Sequence, residues 1–196
     1  VLIWLKELNA ELGLSPGTYA VAAALVDRML EVVRVKPEHA DLVGLACLLI
    51  AAKQGEPCEA QPTVADLSAM CPAFSVGEIS RMESIVHRKL AGKHVCIALD
   101  FCDEMVHLAS LMGAPDDVAT AEFEAITTNQ MLSATFYYEL VSFRHATLAL
   151  AVLDAELGRV APASVRRDIV RSIGDVMDVP AWDLRNCARC LARNLK

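Results

Sequence analysis

The feature that most constrains this fold is an apolar run from Leu42 to Ala52, which contains no charged residue. A helix that crosses a membrane needs about 20 consecutive apolar residues, so this run is too short to span one. A helix that is apolar on every side must be surrounded by other protein elements. We therefore predict that the run is the buried central helix of a bundle in a soluble protein, with Lys53 as the first charge after it.

Start and stop signals divide the first ninety residues into five predicted helices. Ser15 supplies a capping hydroxyl, and Pro16 then occupies the first helical position. Ser75 with Glu78 is a capping-box pattern. The third helix begins near Pro37 and contains the apolar run. The other four cover about residues 1–12, 17–34, 63–70 and 76–90.

The second half of the chain follows a similar plan. Its central stretch, Ala146–Leu153, mixes small and large apolar residues as Val43–Ile50 does, and lies 103 residues later. Each stretch belongs to the third of five predicted helices, which indicates a duplication. The remaining four cover about residues 96–112, a stretch from Pro115 to about Val141, 163–177 and 180–195. We predict an all-α fold of two tandem five-helix repeats, with domains at residues 1–94 and 95–196.

Composition argues against several classes of function. The net charge is −7 and the isoelectric point about 5.2, whereas nucleic-acid-binding proteins normally present a basic face. Aromatic residues make up only 5%, so aliphatic side chains must fill the core, which favours packed helices. The sequence shows no phosphate-binding glycine loop, nucleophile motif or convincing pair of catalytic carboxylates, so we do not expect an enzyme.

The cysteines indicate a reducing compartment rather than a disulfide framework. There are seven, an odd number, and several lie in apolar stretches, where cysteine acts as a small hydrophobic residue. Cys187 and Cys190 form a lone CxxC without a second ligand pair, so we predict packing and neither a metal nor a cofactor. Because the first residue is Val1 rather than methionine, we expect the chain to be part of a longer protein.

Three short elements occur in the order and spacing of a known family. They are the Val-Asp-Arg-Met-Leu of Val26–Leu30, the Leu42–Lys53 helix that ends in Ala-Ala-Lys, and the Arg-Met-Glu of Arg81–Glu83. Together, over about sixty residues, they resemble the cyclin box. Trp4 and Leu5 resemble its first helix.

Three further short motifs refine the resemblance. Ser15–Pro16, Val35–Pro37 and Phe143–Arg144 are most similar to the cyclin G and cyclin I group. The resemblance covers the first half of the chain well and the second half mainly through residues 142–156.

The resemblance implies a non-catalytic cell-cycle regulator that binds a cyclin-dependent kinase and favours its active arrangement. In such proteins a Lys that ends the central helix and a Glu in the fifth helix contact the kinase. The matching residues are Lys53 and Glu83, and we expect Ile50, Gln54 and His87 to extend the same partner-binding surface. Without the resemblance, Lys53 would be interpreted as a cation that complements its helix dipole. The resemblance also implies a location in the nucleus and cytoplasm, with neither nucleic acid nor membrane as a partner.

This chain departs from strongly activating cyclins on that surface. Gln54 replaces a bulky apolar residue, His87 replaces another, and Gly92 lies where an aromatic is common. Because binding hot spots are usually large buried side chains, a second hypothesis is a non-activating scaffold or adaptor, for example for protein phosphatase 2A. A third, a cyclin-fold transcription factor resembling transcription factor IIB, is opposed by the acidic isoelectric point.

The resemblance also bears on the roles of two further pairs of residues. Trp4 matches the floor of the substrate-docking groove of many cyclins, and Asp41 occupies a position where Gln is common. A core role for Trp4 is an equally good interpretation. For Asp27 and Arg28 we prefer a structural role, in which they tie helices together inside the box.

Overall fold

The computed structural model describes residues 1–91 and 96–195, and these contain α-helices and short 3-10 turns but no β-strand. The chain divides into two compact units, Val1–Cys96 and Ile97–Lys196. The predicted domain boundary after residue 94 falls within residues 92–95, outside the described residues. Each unit is built around one central apolar helix.

The described part of the first unit contains five α-helices, as the start and stop signals predict, and 3-10 turns at Pro37–His39 and Cys58–Ala60. The helices are α1 (Leu2–Glu11), α2 (Pro16–Val32), α3 (Ala40–Gly55), α4 (Val64–Met70) and α5 (Val76–Lys89).

Side-chain caps fix where three of these helices begin. The backbone N–H of Thr18 donates to the Ser15 hydroxyl at 3.2 Å, and Pro16 occupies the first helical position of α2. Helix α5 begins with a capping box, in which the N–H of Ser75 donates to the Glu78 carboxylate at 2.9 Å. Thr63 makes the same arrangement for α4. Each cap satisfies backbone donors that a helix terminus otherwise leaves unpaired.

Helix α3 is the core of the first unit. All residues from Leu42 to Ala52 are buried, so the helix is enclosed on every side, as its composition predicts. Helices α1, α2 and α5 pack directly against it. Three neighbouring helices, rather than one, therefore cover the apolar surface of α3.

Gly44 allows α1 to lie close to the backbone of α3. A Cβ atom at this position would lie 2.8 Å from Val1 Cγ1 and 3.1 Å from Leu5 Cδ1. Leu5 is completely buried, so it has little room to move away. A larger residue at position 44 would therefore displace α1.

The described residues of the second unit, 97–195, contain six α-helices, of which α9 is the central one, and a 3-10 turn at Asp116–Ala119. They are α6 (Ala98–Leu111), α7 (Ala121–Ala134), α8 (Tyr138–Val141), α9 (His145–Val160), α10 (Ala163–Val176) and α11 (Ala181–Asn194). Residues 146–153 of α9 are all buried, and α6, α7, α10 and α11 surround them.

The predicted continuous helical stretch up to Val141 is wrong. Helix α7 ends at Ala134, and between there and Val141 only the four-residue α8 is α-helical. The intervening Thr-Phe-Tyr sequence consists of poor helix formers. The Thr135 hydroxyl donates to the carbonyl of Leu132 at 2.7 Å, a local bond that competes with helix continuation.

One ion pair and one hydrogen bond from a neutral amide join carboxylates of α9 to neighbouring helices. Arg166 of α10 makes a bidentate contact with Asp154, with Nε–Oδ1 and Nη2–Oδ2 distances of 2.6 and 2.9 Å. Near the end of α9, the buried Glu156 accepts hydrogen bonds from Gln130 and Arg159. The apolar packing of the second unit is therefore supplemented by charged contacts.

We predict that Gly44→Leu lowers the free energy of unfolding of the first unit by about 1 to 3 kcal/mol, because the added side chain overpacks the contact with α1. Chemical denaturation followed by circular dichroism measures the change. Gly77→Leu is the matched control, since a Cβ there meets nothing within 4 Å. Equal stability of the two variants would contradict the close approach.

Candidate functional site

Lys53 lies where α3 emerges from the core. The ten residues before it, 43–52, are buried, whereas 44% of the Lys53 side chain is exposed. Its position in the last turn places a positive charge near the negative end of the helix dipole. Helix α3 therefore buries its apolar length and presents this ammonium at its end.

Glu83 lies on α5, which packs against α3. Ile79 and Val86 are the buried residues of α5, and the Glu83 side chain lies at the edge of the packed face, 21% exposed. Lys53 Nζ donates to Glu83 Oε1 at 2.5 Å. The structure thus brings together the two residues that the sequence singled out, although 30 positions separate them.

A hydrogen-bond network holds the end of α3 in place next to this pair. Gln61 Nε2 donates to the carbonyl of Glu56 at 2.8 Å and to that of Lys53 at 3.4 Å. The Glu56 carboxylate accepts from the Thr18 hydroxyl at 2.5 Å and from the Ser15 N–H at 2.7 Å. The segment after Lys53 is therefore fastened to the start of α2.

Sequence reasoning missed Glu56 and Gln61. The capping signal at Ser15 was visible, but nothing in the sequence shows that a carboxylate 41 residues away also binds that cap. The hydrogen bond from the Thr18 hydroxyl is the largest cause that holds the pKa of Glu56 below its ordinary value of 4.5. The carboxylate is consequently charged and acts as a fixed acceptor.

The other three predicted surface residues lie in different environments. Ile50 is only 4% exposed and packs in the core, one turn before Lys53. Gln54 and His87 are exposed. The surface near the ion pair is therefore polar. Ile50, which was predicted to extend this surface, is buried in the core instead.

A groove of about 660 Å³ lies along α5 next to the ion pair. Glu83, Ser84, His87, Arg88 and Ala91 line it. Glu83 belongs both to the ion pair and to this groove, so the two features form one continuous surface. Gly92, the position where an aromatic is common in the resembled family, lies outside the described residues.

Trp4 and Asp41 lie on the two elements that meet at Gly44. Trp4 of α1 is half-buried, and Asp41 is exposed in the first turn of α3. Asp27 and Arg28 of α2 are both half-buried. Burial, and secondly the charge of Glu31, raise the pKa of Asp27.

Three cysteines are core residues, as predicted. Cys47, Cys102 and Cys187 are completely buried. Burial raises the pKa of Cys47 and Cys187 to about 12 and that of Cys102 to about 11, so these thiols stay protonated near neutral pH. Cys187 therefore packs inside the second unit rather than serving as an open metal ligand.

Across residues 1–91 and 96–195, no three His, Cys, Asp or Glu residues are grouped so that they could hold a metal ion. Within the same ranges, every helix is too short or too polar to cross a membrane.

Comparison with known proteins agrees with this arrangement. A family model described as the cyclin N-terminal domain matches residues 1–93, the part that forms α1 to α5 and the Lys53–Glu83 pair. Residues 1–93 of this chain therefore form a cyclin N-terminal domain. The all-α cyclin fold predicted from the sequence is confirmed by a viral cyclin from herpesvirus saimiri, which matches 89% of this chain with a TM-score of 0.70. That match covers 81% of the viral chain at 17% sequence identity.

Curated relatives place this cyclin near the predicted group. Human Cyclin-G1 is 34% identical over 90 residues, which cover 45% of this chain and 30% of that protein. Human Cyclin-I2 is 27% identical over 170 residues, 83% of this chain and 46% of that protein. Mouse Cyclin-G2 is 27% identical over 166 residues, 78% of this chain and 44% of that protein. This chain therefore spans less than half the length of these relatives.

We predict that Glu56→Gln lowers the stability of the first unit by about 1 kcal/mol at pH 7, because a charged acceptor is lost from the network. The folded pKa of Glu56 is depressed, so its contribution is present above pH 4.5 and disappears as the pH falls through the folded pKa. The stability difference between the two proteins should therefore shrink on acidification from pH 6 to pH 3.

Denaturant unfolding at a series of pH values measures this difference. Glu59→Gln is the matched control, since Glu59 is an exposed glutamate three residues further along. A Glu56→Gln effect that is independent of pH would contradict the proposed role of the charge.

Proposed function

We propose that this cyclin is a regulatory subunit that binds a cyclin-dependent kinase through the surface formed by the ends of α3 and α5. The observation that supports this proposal is the Lys53–Glu83 pair, held at 2.5 Å on an exposed surface of the first unit. Membership in the cyclin family supplies the partner class. We propose further that the protein acts in cell-cycle control, in the nucleus and cytoplasm.

The pair can bind a partner's main chain in a directional way. An ammonium has three donor hydrogens and a carboxylate has two acceptor oxygens. When one hydrogen and one oxygen are used within the pair, both a donor and an acceptor can still engage a partner. Charge-assisted hydrogen bonds of this kind fix the register of an interface and increase the association rate.

The surroundings of the pair reduce the cost of ordering it on binding. Gln61 and Glu56 fasten the end of α3, and the packing of α5 on α3 positions Glu83. A preorganised surface loses less conformational entropy when a partner binds. A kinase conformation that matches this surface would be favoured over one that does not, which is how a protein without catalytic groups can regulate an enzyme.

A second candidate function is a scaffold or adaptor that binds without activating a kinase, for example for protein phosphatase 2A. The observation that favours it is the polar character of the surface around the pair, where Gln54, His87 and Arg88 are exposed and Ile50 is buried. Large apolar anchors usually provide most of the binding energy at protein interfaces. A polar surface favours a weaker or different partner.

We predict that the double variant Lys53→Ala, Glu83→Ala weakens binding to a purified cyclin-dependent kinase by about tenfold or more, because charged groups at the interface centre are removed. Surface plasmon resonance against a panel of these kinases measures the affinities. The matched control is Lys36→Ala with Glu38→Ala, which removes an exposed Lys–Glu pair at the opposite end of α3.

Two outcomes distinguish the candidate functions. If no kinase in the panel binds the unmodified protein, while purified phosphatase 2A subunits do, the adaptor is supported and the kinase proposal fails. If a kinase binds but both double variants bind it equally well, the proposed contact is wrong. Circular dichroism establishes that the variants remain folded.

A further inference from the structure

Helix α11 has one buried face and one exposed face of unusual composition. Cys187 and Leu191 are buried in the core of the second unit. Viewed along the helix, the positions opposite them form one narrow exposed stripe. This stripe, called here the α11 stripe, consists of Trp182, Arg185, Arg189 and Arg193.

The α11 stripe is basic although the chain as a whole carries a net charge of −7. Asp183 is the one acidic residue of α11, and its carboxylate accepts a hydrogen bond from the Thr147 hydroxyl at 3.1 Å, on the side that faces α9. The stripe itself therefore contains three guanidinium groups and no carboxylate. It extends over twelve residues of helix, a rise of about 16 Å.

The exposed surface of α10 provides a comparison within the same unit. Helix α10 exposes Arg167 and Arg171 together with Asp168 and Asp175, the mixed pattern of an ordinary solvated face. The α11 stripe differs from it in carrying a single sign of charge.

Trp182 is a second and independent feature of the stripe. It is 62% exposed, and it is one of only two tryptophans in the chain. Tryptophan and arginine are the residue types most enriched at binding hot spots, where an indole supplies apolar contact and guanidinium groups supply directional charge. Their combination on one stripe indicates a binding surface rather than a solvated one.

The structure already contains a small example of the expected contact. Glu139 of α8 places its carboxylate on the guanidinium of Arg193, at one end of the stripe. Arg185 and Arg189 lie between this contact and Trp182. A second carboxylate-bearing chain could continue the same type of interaction along the helix.

We propose that the α11 stripe binds an acidic segment of a partner protein, with Trp182 packing against an apolar residue of that segment. Charge complementarity argues for this occupant. Nucleic acid fits less well, because 16 Å of helix with three arginines gives few phosphate contacts. The surface lies in the second unit and does not depend on the Lys53–Glu83 pair.

The test uses the 196-residue chain and a fluorescein-labelled acidic probe. The probe is a peptide of about nine glutamate and aspartate residues with one central leucine. An extended chain needs about five residues to cover 16 Å, so this peptide is long enough to span the stripe. Its counterpart has glutamine and asparagine in place of the acids. Fluorescence anisotropy gives the affinities, and the emission of Trp182 gives a second signal, which Trp182→Phe assigns.

The variant Arg185→Gln, Arg189→Gln should weaken binding of the acidic probe about tenfold or more, because two charged donors are lost. Trp182→Ala should weaken it severalfold, and added salt should weaken it further. The control Arg167→Gln, Arg171→Gln lowers the net charge equally, at exposed positions of α10, and should leave the affinity unchanged.

Several outcomes would overturn the proposal. Equal loss of affinity in the α10 and α11 variants would show a general charge effect, and equal binding of the uncharged peptide would exclude carboxylate recognition. Tighter binding of a single-stranded oligonucleotide than of the acidic probe would assign the stripe to nucleic acid. Self-association of the chain that Arg185→Gln, Arg189→Gln abolishes would assign it to a second copy. Kinase binding should be unaffected by the α11 variant.

Discussion

The packing of α3 on all sides is the constraint on which the first unit depends. An apolar helix with no polar face cannot lie at a surface, so α1, α2 and α5 must enclose it. Gly44 permits the close approach of α1. Because every position from Leu42 to Ala52 is used for packing, the first position after this run at which α3 can present a functional group is Lys53. The candidate site is thus a direct result of how the core is built.

The two central helices end differently, although their sequences resemble each other. At the spacing of 103 residues that relates them, Lys53 corresponds to Glu156. Lys53 is exposed and meets one carboxylate on a neighbouring helix, whereas Glu156 is buried and bound by Gln130 and Arg159. The polar group near the end of α9 is therefore bound by residues of its own unit. This difference concentrates the proposed kinase contact in the first unit and leaves other surfaces of the second, such as the α11 stripe, to different partners.

Much of the fold was predictable because its signals are local. Caps at Ser15, Thr63 and Ser75 lie within four residues of the helices they start, and the apolar run identifies the core directly. The Lys53–Glu83 pairing came from resemblance to a family, since 30 residues separate the two. The Glu56 network, the Asp154–Arg166 bridge and the burial of Ile50 could not be predicted, because each depends on the angle at which helices meet. The end of α7 at Ala134 was missed because Thr135 and the aromatic residues after it act through weak propensities.

The order of helices along the chain has a consequence for synthesis. The apolar helix α3 leaves the ribosome before α5, which covers one of its sides and ends at Lys89. At a translation rate of about 5–20 residues per second, roughly 2 to 7 s pass between the synthesis of the end of α3 and that of the end of α5. During this interval the nascent chain exposes an uncharged hydrophobic segment that it cannot yet enclose. Such a segment is a natural binding site for chaperones, and delayed synthesis of α5 would lengthen the interval in which aggregation competes with folding.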